Sequence, residues 1–289
     1  MEIRVLRYFL AVVREGSITK AAETLHITQP TLSRQLQQLE EELNTHLFVR
    51  GKHHNTLTNE GMLLKKRAED IVELANKTEK EFLAQDDLIS GYICIGSGET
   101  FAMHEVGKVM NEFQNLYPAV QFHLFSGNAD DVIEKLDKGL IDIGILVEPV
   151  NVEKYEYIRL KTKDRWGVLT LKDSELAQKP YVKAQELYGV PLMASRRSIV
   201  QNYLSHWFHT DFDKLNIVVT FNLINNASIL VEERIGHALT LENVTSHSHL
   251  AFVPFNPPLE SGNVVVWRKH QVFSKATTRF LEMLKTKYE

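Results

Sequence analysis

Near residue 90 the spacing of the apolar side chains changes, and with it the architecture open to the chain. Upstream, apolar residues recur three and four apart, the period of helices that bury one stripe. Downstream, short β-favouring runs take over: "YICIG", "VQFHLF", "LIDIGIL", "WGVLTL", "VPLMA", "IVVTFN", "HALTL" and "VVVWR". Helical patterns separate them at roughly 101–115, 129–138, 198–209, 226–235 and 274–285. The purely helical period upstream predicts an all-α head, and the alternation of strands with helices downstream predicts an α/β body with mostly parallel sheets covered by helices. A length of 289 residues fits about two such domains. The expected division is 1–58, a connecting helix and hinge over 59–90, and a body over 91–289. Within the body one lobe takes about 91–162 and 264–289, and the other about 163–263.

In the head, Leu6, Phe9, Leu10 and Val13 put a stripe on a helix over about 2–14 that stops near Gly16. Ser17 reads as the N-cap of a second helix through "ITKAAETL", where Ala21, Ala22 and Leu25 permit close packing. The tripeptide "HIT" leads to "QPTLSRQLQQLEEEL", whose Pro30 suits a first helical turn. Periodicity leaves a plain helical hairpin and a helix-turn-helix equally open. The outward face favours the second. With Leu32, Leu36 and Leu39 inward, Gln29, Pro30, Thr31, Ser33, Arg34 and Gln37 lie outside, nearly free of acids. Arginine can fork to guanine, glutamine to adenine, and a threonine methyl can meet that of thymine. Glu40, Glu41 and Glu42 come two to three turns later, where a recognition helix has left the groove. Next, "LFVR" and "TLT" predict a two-stranded wing, with Arg50 and Lys52 as phosphate contacts and His53 and His54 in its loop.

From Thr58, a candidate N-cap, 27 residues run without proline. Leu64, Ala68, Ile71, Ala75, Thr78 and Phe82 alternate four and three apart, a seam of 3.5-residue period. Such a seam packs either on the chain's own domains or on a second copy.

In sheets of this kind ligands sit beyond the carboxyl ends of strands, near helix N-termini. "GSGET" and "SGNADD" follow two predicted strands and offer Ser97, Gly98, Thr100, Ser126, Gly127 and Asn128. Arg196, Arg197, Asn222 and Asn225 are candidates from the second lobe, with helix capping or plain solvation as the alternative for all ten. Glu99, Asp130 and Asp131 place negative charge at the same helix starts and oppose an anionic ligand.

The composition excludes several classes. A net charge of −4 rules out a generally basic coat. Residues 1–58 hold seven basic and six acidic groups, giving +1 and leaving −5 elsewhere, so DNA contact must be local. Cys94 stands alone, which excludes an internal disulfide and suits a reducing cytosol. Neither a leader nor a membrane span is expected, because charges interrupt "MEIRVLRYFLAVVREG" and the apolar runs are short. No metal is expected either: "HWFH" and "HSH" lack a helical histidine pair with a glutamate. "GSGET" has neither nucleophile-elbow nor Walker spacing, so an enzyme is not expected and no cofactor is implied.

The stretch "AAETLHITQPTLSRQLQQLE", with "LFVR" and "LTNEG" after it, resembles the DNA-binding domain of LysR-type transcriptional regulators. The resemblance implies a winged helix-turn-helix, a long linker helix and a two-lobed effector domain built like a type 2 periplasmic binding protein. "VIEKLDKGLIDIGIL" is similar to a characteristic segment of that effector domain, while the family's His-Pro-Leu-Ala segment survives only as "SELA". The DNA-contacting set so implied is Ser17, Thr19, Thr28, Gln29, Pro30, Thr31, Ser33, Arg34 and Gln37, with Arg50, Lys52 and His53 in the wing. Asn44 replaces the usual glycine after the recognition helix, and "KHHN" replaces a frequent wing arginine, weakening phosphate binding or making it pH-sensitive. Hydroxyls at places like Thr100 and Ser126 hold a small effector in the family, often an anion. The implied partners are double-stranded DNA, that effector, further copies of the chain (a dimer extending to a tetramer, through Leu64, Ala68, Ile71, Ala75 and Phe82) and RNA polymerase, in the cytoplasm. A carrier with the same two-lobed fold would leave residues 1–58 without a purpose, and an enzyme with a DNA-binding head would need a titratable pair in the cleft.

Overall fold

The computed structural model describes residues 1–50, 55–83, 89–245 and 247–288, which fall into two compact units, Met1–Leu83 and Ala84–Glu289. In the first, α1 (Ile3–Glu15), α2 (Ile18–Thr24) and α3 (Gln29–Glu42) precede a hairpin of β1 (Phe48–Arg50) and β2 (Asn55–Leu57) and then α4 (Asn59–Leu83). Chain reversals use residues that tolerate a left-handed backbone. Gly16 adopts φ 66° and donates its amide to Val12 O at 2.9 Å, ending α1; Asn44 adopts φ 49° after α3. Thr58 caps α4 by accepting from the Gly61 amide at 2.9 Å. Ser17 sits at the N-cap of α2 but its hydroxyl makes no capping bond, a correction to its expected role.

Phe9, Leu6, Val12, Ala21, Ala22, Leu32, Leu36, Leu39, Leu47 and Ala68 form one core. Burying each leucine contributes about 1.5–3 kcal/mol, so an aspartate at Leu36 would undo the packing of α3. The three glutamates that close α3 each have a structural partner. Glu40 Oε1 accepts from the amides of Leu47 and Phe48 at 2.6 and 3.3 Å, anchoring the first wing strand to the helix before it. Glu41 receives Gln37 Nε2 at 3.0 Å, and Glu42 pairs with the Met1 amino group at 2.7 Å.

The second unit holds two mixed sheets. The first runs β4-β3-β5-β13-β6, from β3 (Gly91–Ser97), β4 (Val120–Ser126), β5 (Ile143–Val147), β6 (Tyr155–Arg159) and β13 (Asn263–Arg268). Helices α5 (Met103–Leu116), α6 (Ala129–Asp137) and α9 (Lys275–Tyr288) cover it. In β13, Val264 and Val266 face the α6 side while Val265 and Trp267 face the core of α5 and α9, the period-two burial of a strand covered on two faces. The other sheet runs β11-β7-β10-β8-β9, from β7 (Asp164–Leu171), β8 (Leu192–Ser195), β9 (Ile217–Phe221), β10 (His237–Leu241) and β11 (Leu250–Pro254), with β12 (Glu260–Ser261) also on β7. Helices α7 (Ser198–Phe208) and α8 (Ile224–Glu232) pack against it.

The sheets are less parallel than the alternating pattern predicts. β3 pairs parallel with β4 and β5, and β8 with β9 and β10, but β13 and β7 pair antiparallel with every neighbour. Those two follow the passages between lobes, around residues 160–164 and 261–263, and so enter from the far end. β6 escapes the sequence pattern because it is an outermost strand with Glu156, Tyr157 and Arg159 exposed, and β11, also outermost, is a run of only five residues ended by Pro254.

Candidate functional site

On α3 the expected sorting of side chains holds. Leu32, Leu36 and Leu39 are buried, whereas Thr28, Gln29, Pro30, Thr31, Arg34 and Gln37 are exposed. Arg34 makes no ion pair among the described residues. Thr28 Oγ1 and Thr31 Oγ1 share a hydrogen at 2.8 Å, fixing the first turn of the helix. Ser33 is half-buried rather than fully outward; Ser17 is half-buried and Thr19 exposed at the start of α2. Lys52 and His53 lie outside the described residues, as does the side chain of Arg50.

The predicted seam on α4 divides between two faces, which corrects it. Ala68 is fully buried in the head's own core and Leu64 packs on that core, with Arg7 reaching Asn76 and Glu79 at 2.7 and 3.2 Å along the same side. Ala68 is therefore unavailable to a partner, and Ala75 is half-buried. The outward apolar stripe is instead Leu63, Ile71, Leu74 and Phe82. A 3.5-residue count cannot separate these faces, because a straight helix at 3.6 drifts across it.

In the second unit a cavity of 110 Å³ opens where β3, β5, β8, β9 and β10 end. One lobe supplies Gly98, Glu99, Asn128, Ala129, Ile145, Leu146, Val147 and Glu148 to its wall. From the other come Trp166, Ser195, Arg197, Val200, Phe221, Asn222, Leu223, Ile224, Leu239, Thr240, Leu241 and Val244. This is the position that strand-end geometry predicts for a ligand. Of the ten candidates, Gly98, Asn128, Arg197 and Asn222 line it. The rest are corrected. Ser97 is buried and donates to Gly98 O at 2.8 Å. The Thr100 hydroxyl is consumed in a buried knot, donating to Asp164 Oδ2 at 2.6 Å beside Asn263, whose Nδ2 donates to the same carboxylate at 2.9 Å. Gly127 is buried where a Cβ would stand 2.8 Å from the Phe125 ring, and Ser126, Arg196 and Asn225 are exposed outside the wall.

Three contacts tie the lobes together around the cavity. Arg197 Nε donates to Asp130 Oδ1 at 3.0 Å, and Arg196 stands 3.6 Å from Asp131. Glu99 accepts from the Ile224 amide at the start of α8, and burial pushes its carboxyl above the ordinary range against the pull of the Ile224 and Asn225 amides. Its role as an interlobe contact was not legible, since residues 99 and 224 have no local relation.

One further row invites an enzymatic reading. His247 Nε2 lies 2.9 Å from Ser228 Oγ, with Glu232 Oε1 3.4 Å from Nδ1. The hydroxyl is fully buried and donates to Asn225 O at 2.6 Å, so its hydrogen is spent and no substrate reaches it.

Two family descriptions match the chain: "Bacterial regulatory helix-turn-helix protein, lysR family" over residues 3–62 and "LysR substrate binding domain" over 86–289. The chain belongs to the LysR family. LysR-type proteins are DNA-binding transcriptional regulators rather than enzymes, and this regulator carries the substrate-binding domain behind its helix-turn-helix. It is 29% identical to the HTH-type transcriptional regulator BsdA of Bacillus subtilis over 98% of this chain and 100% of that one. It is also 29% identical to the regulator YvbU of the same organism, over 84% of this chain and 82% of that one. In fold it is similar to CbnR, a LysR family regulator, with a TM-score of 0.78 at 20% identity and full coverage of each chain. Against full-length CbnR in complex with its target DNA the TM-score is 0.74 at 19% identity, covering 99% of each chain. Among the described residues no helix is long and apolar enough to cross a membrane.

Proposed function

We infer that this LysR-type regulator reads its operator with the first turns of α3 and answers to a small molecule held between the lobes of residues 91–289. The carrying observation is the split character of α3: leucines locked into the core, and behind them an exposed row of Gln29, Pro30, Thr31, Arg34 and Gln37. Packing requires nothing of that row. Arginine and glutamine are the side chains that make paired hydrogen bonds to base edges, and Thr28, Thr19 and Ser17 nearby can hold phosphates. The wing, with Arg50, Lys52 and His53, belongs on the flanking backbone.

One such helix reads only a few base pairs, so a second copy is needed for useful specificity. The outward stripe Leu63, Ile71, Leu74 and Phe82 supports α4, within the linker 59–90, as the pairing helix. Dimers then associate into tetramers. The DNA complex of CbnR supports a duplex as the partner here too. On the same reading RNA polymerase is the downstream contact and the cytoplasm the place. Effector binding at the cleft shifts the arrangement of paired heads, provided it favours one arrangement in free energy.

Selection of duplexes from a randomised pool with the full-length protein tests this reading. A two-fold related pair of half-sites is expected. Enrichment of no sequence, or of single-stranded DNA, would overturn it.

A further inference from the structure

The walls of the interlobe cavity carry a charge pattern that narrows the class of molecule it takes, given the proposed role of the cleft as the effector site. Three lining side chains are charged: Glu99, Glu148 and Arg197. The Arg197 side chain is only 8% exposed, and its Nε and Nη2 both stand 3.0 Å from one oxygen of Asp130, which offsets its charge. The amides of Asn128, Asp130 and Asp131 at the start of α6 are engaged as well. Asn128 Oδ1 accepts from Asp130 and Asp131 at 2.8 and 3.2 Å, and the Asp131 carboxylate accepts from the Asn128 amide at 3.1 Å. At α8 the Ile224 amide donates to Glu99. An incoming carboxylate would therefore meet the charges of Glu99 and Glu148, with the lining cation, Arg197, already paired. Glu148 has Arg159 at 3.5 Å, an exposed pair weakened by water, whereas Glu99 is held by backbone amides alone among the described residues.

Besides the neutral polar side chains of Asn128, Ser195, Asn222 and Thr240, the wall is apolar, with Ile145, Leu146, Val147 and Leu239 beside the aromatic rings of Trp166 and Phe221. A dry cavity of about 150 Å³ takes a benzene-sized guest, so 110 Å³ limits the seated body to at most one ring or a short aliphatic chain, with the rest of the ligand at the open mouth. We propose that the cleft binds a small organic cation: an apolar or aromatic body seated on these side chains, with an ammonium-type head on the Glu99 carboxylate. Aromatic walls favour the same charge, because ring faces attract cations.

Calorimetric titration of the full-length protein with benzylamine, benzyl alcohol and benzoate, near-isosteric probes of charge +, 0 and −, tests the assignment. Benzylamine is expected to bind about tenfold tighter than benzyl alcohol, and benzoate weakest. Glu99→Gln should bring benzylamine and benzyl alcohol to within about twofold. Gly98→Leu serves as a blocked cleft: a Cβ there would meet only Gly127 O at 3.6 Å, and an unchanged melting temperature is the control that the longer side chain on this lining residue is accommodated. Benzoate as the preferred probe, an unchanged preference in Glu99→Gln, or no binding by any of the three overturns the cation assignment. Benzylamine binding that survives Gly98→Leu overturns the cleft as the effector site itself.

Discussion

Arg34 and His237 show two ways in which one side chain reports its surroundings. Arg34 is exposed on the polar row of α3 and makes no hydrogen bond or ion pair among the described residues. Arg34→Ala should leave stability unchanged and lower specific DNA affinity by about 1–3 kcal/mol; a gel-shift curve that does not move would remove Arg34 from the groove. His237 is half-buried on β10, its Nδ1 2.7 Å from the Thr170 hydroxyl, and burial holds its ring below the ordinary 6.5. A depressed folded value means that the unfolded chain takes up the proton first. Stability from the neutral ring is complete above about 6.5 and drains away as pH falls below it. Thermal unfolding at pH about 7.5 and about 5 should show a larger loss for the native protein than for His237→Gln. Equal losses would mean that burial does not disfavour the charged ring.

At the scale of elements, the junction of α4 with the wing is the tightest. Gly61 leaves no room for a methyl group: a Cβ would stand 2.2 Å from Leu47 O and 2.9 Å from the Leu57 side chain. Gly61→Ala should therefore destabilise the head by about 1–3 kcal/mol, read as a lower midpoint in urea, although alanine is the better helix former. No loss of midpoint would mean that the helix shifts without cost. The outward stripe of α4 makes a separate claim. Leu74→Glu should yield monomers in sedimentation while leaving the head folded, since Leu74 is 42% exposed and outside the core. An intact dimer would move the pairing surface elsewhere. Short elements were readable where the cause is local: Gly16 ends α1, Asn44 follows α3 with a positive φ and Thr58 caps α4. The two faces of α4 were not, because the distinction rests on α1 lying against one of them.

Across the whole molecule, the core of the head and the cores of the two lobes share no residue. Calorimetry of the full-length protein should resolve two transitions, and a cleft ligand should raise only the later residues' transition, by an amount that grows with the logarithm of its concentration. A shift of the head's transition by such a ligand would show that the two cores unfold together.

What the residue order settles is whatever depends on near neighbours: the period switch near residue 90, the inward leucines and outward polar row of α3, and the turn and cap residues that bound the helices. The interlobe cavity is different. Glu99 faces Ile224, Thr100 is consumed by Asp164 and Asn263, and Arg197 answers Asp130. Those partners are separated by between 64 and 163 positions. No spacing rule reaches that far; only the folding of two sheets against each other decides which polar groups remain for a ligand and which are spent holding the protein together.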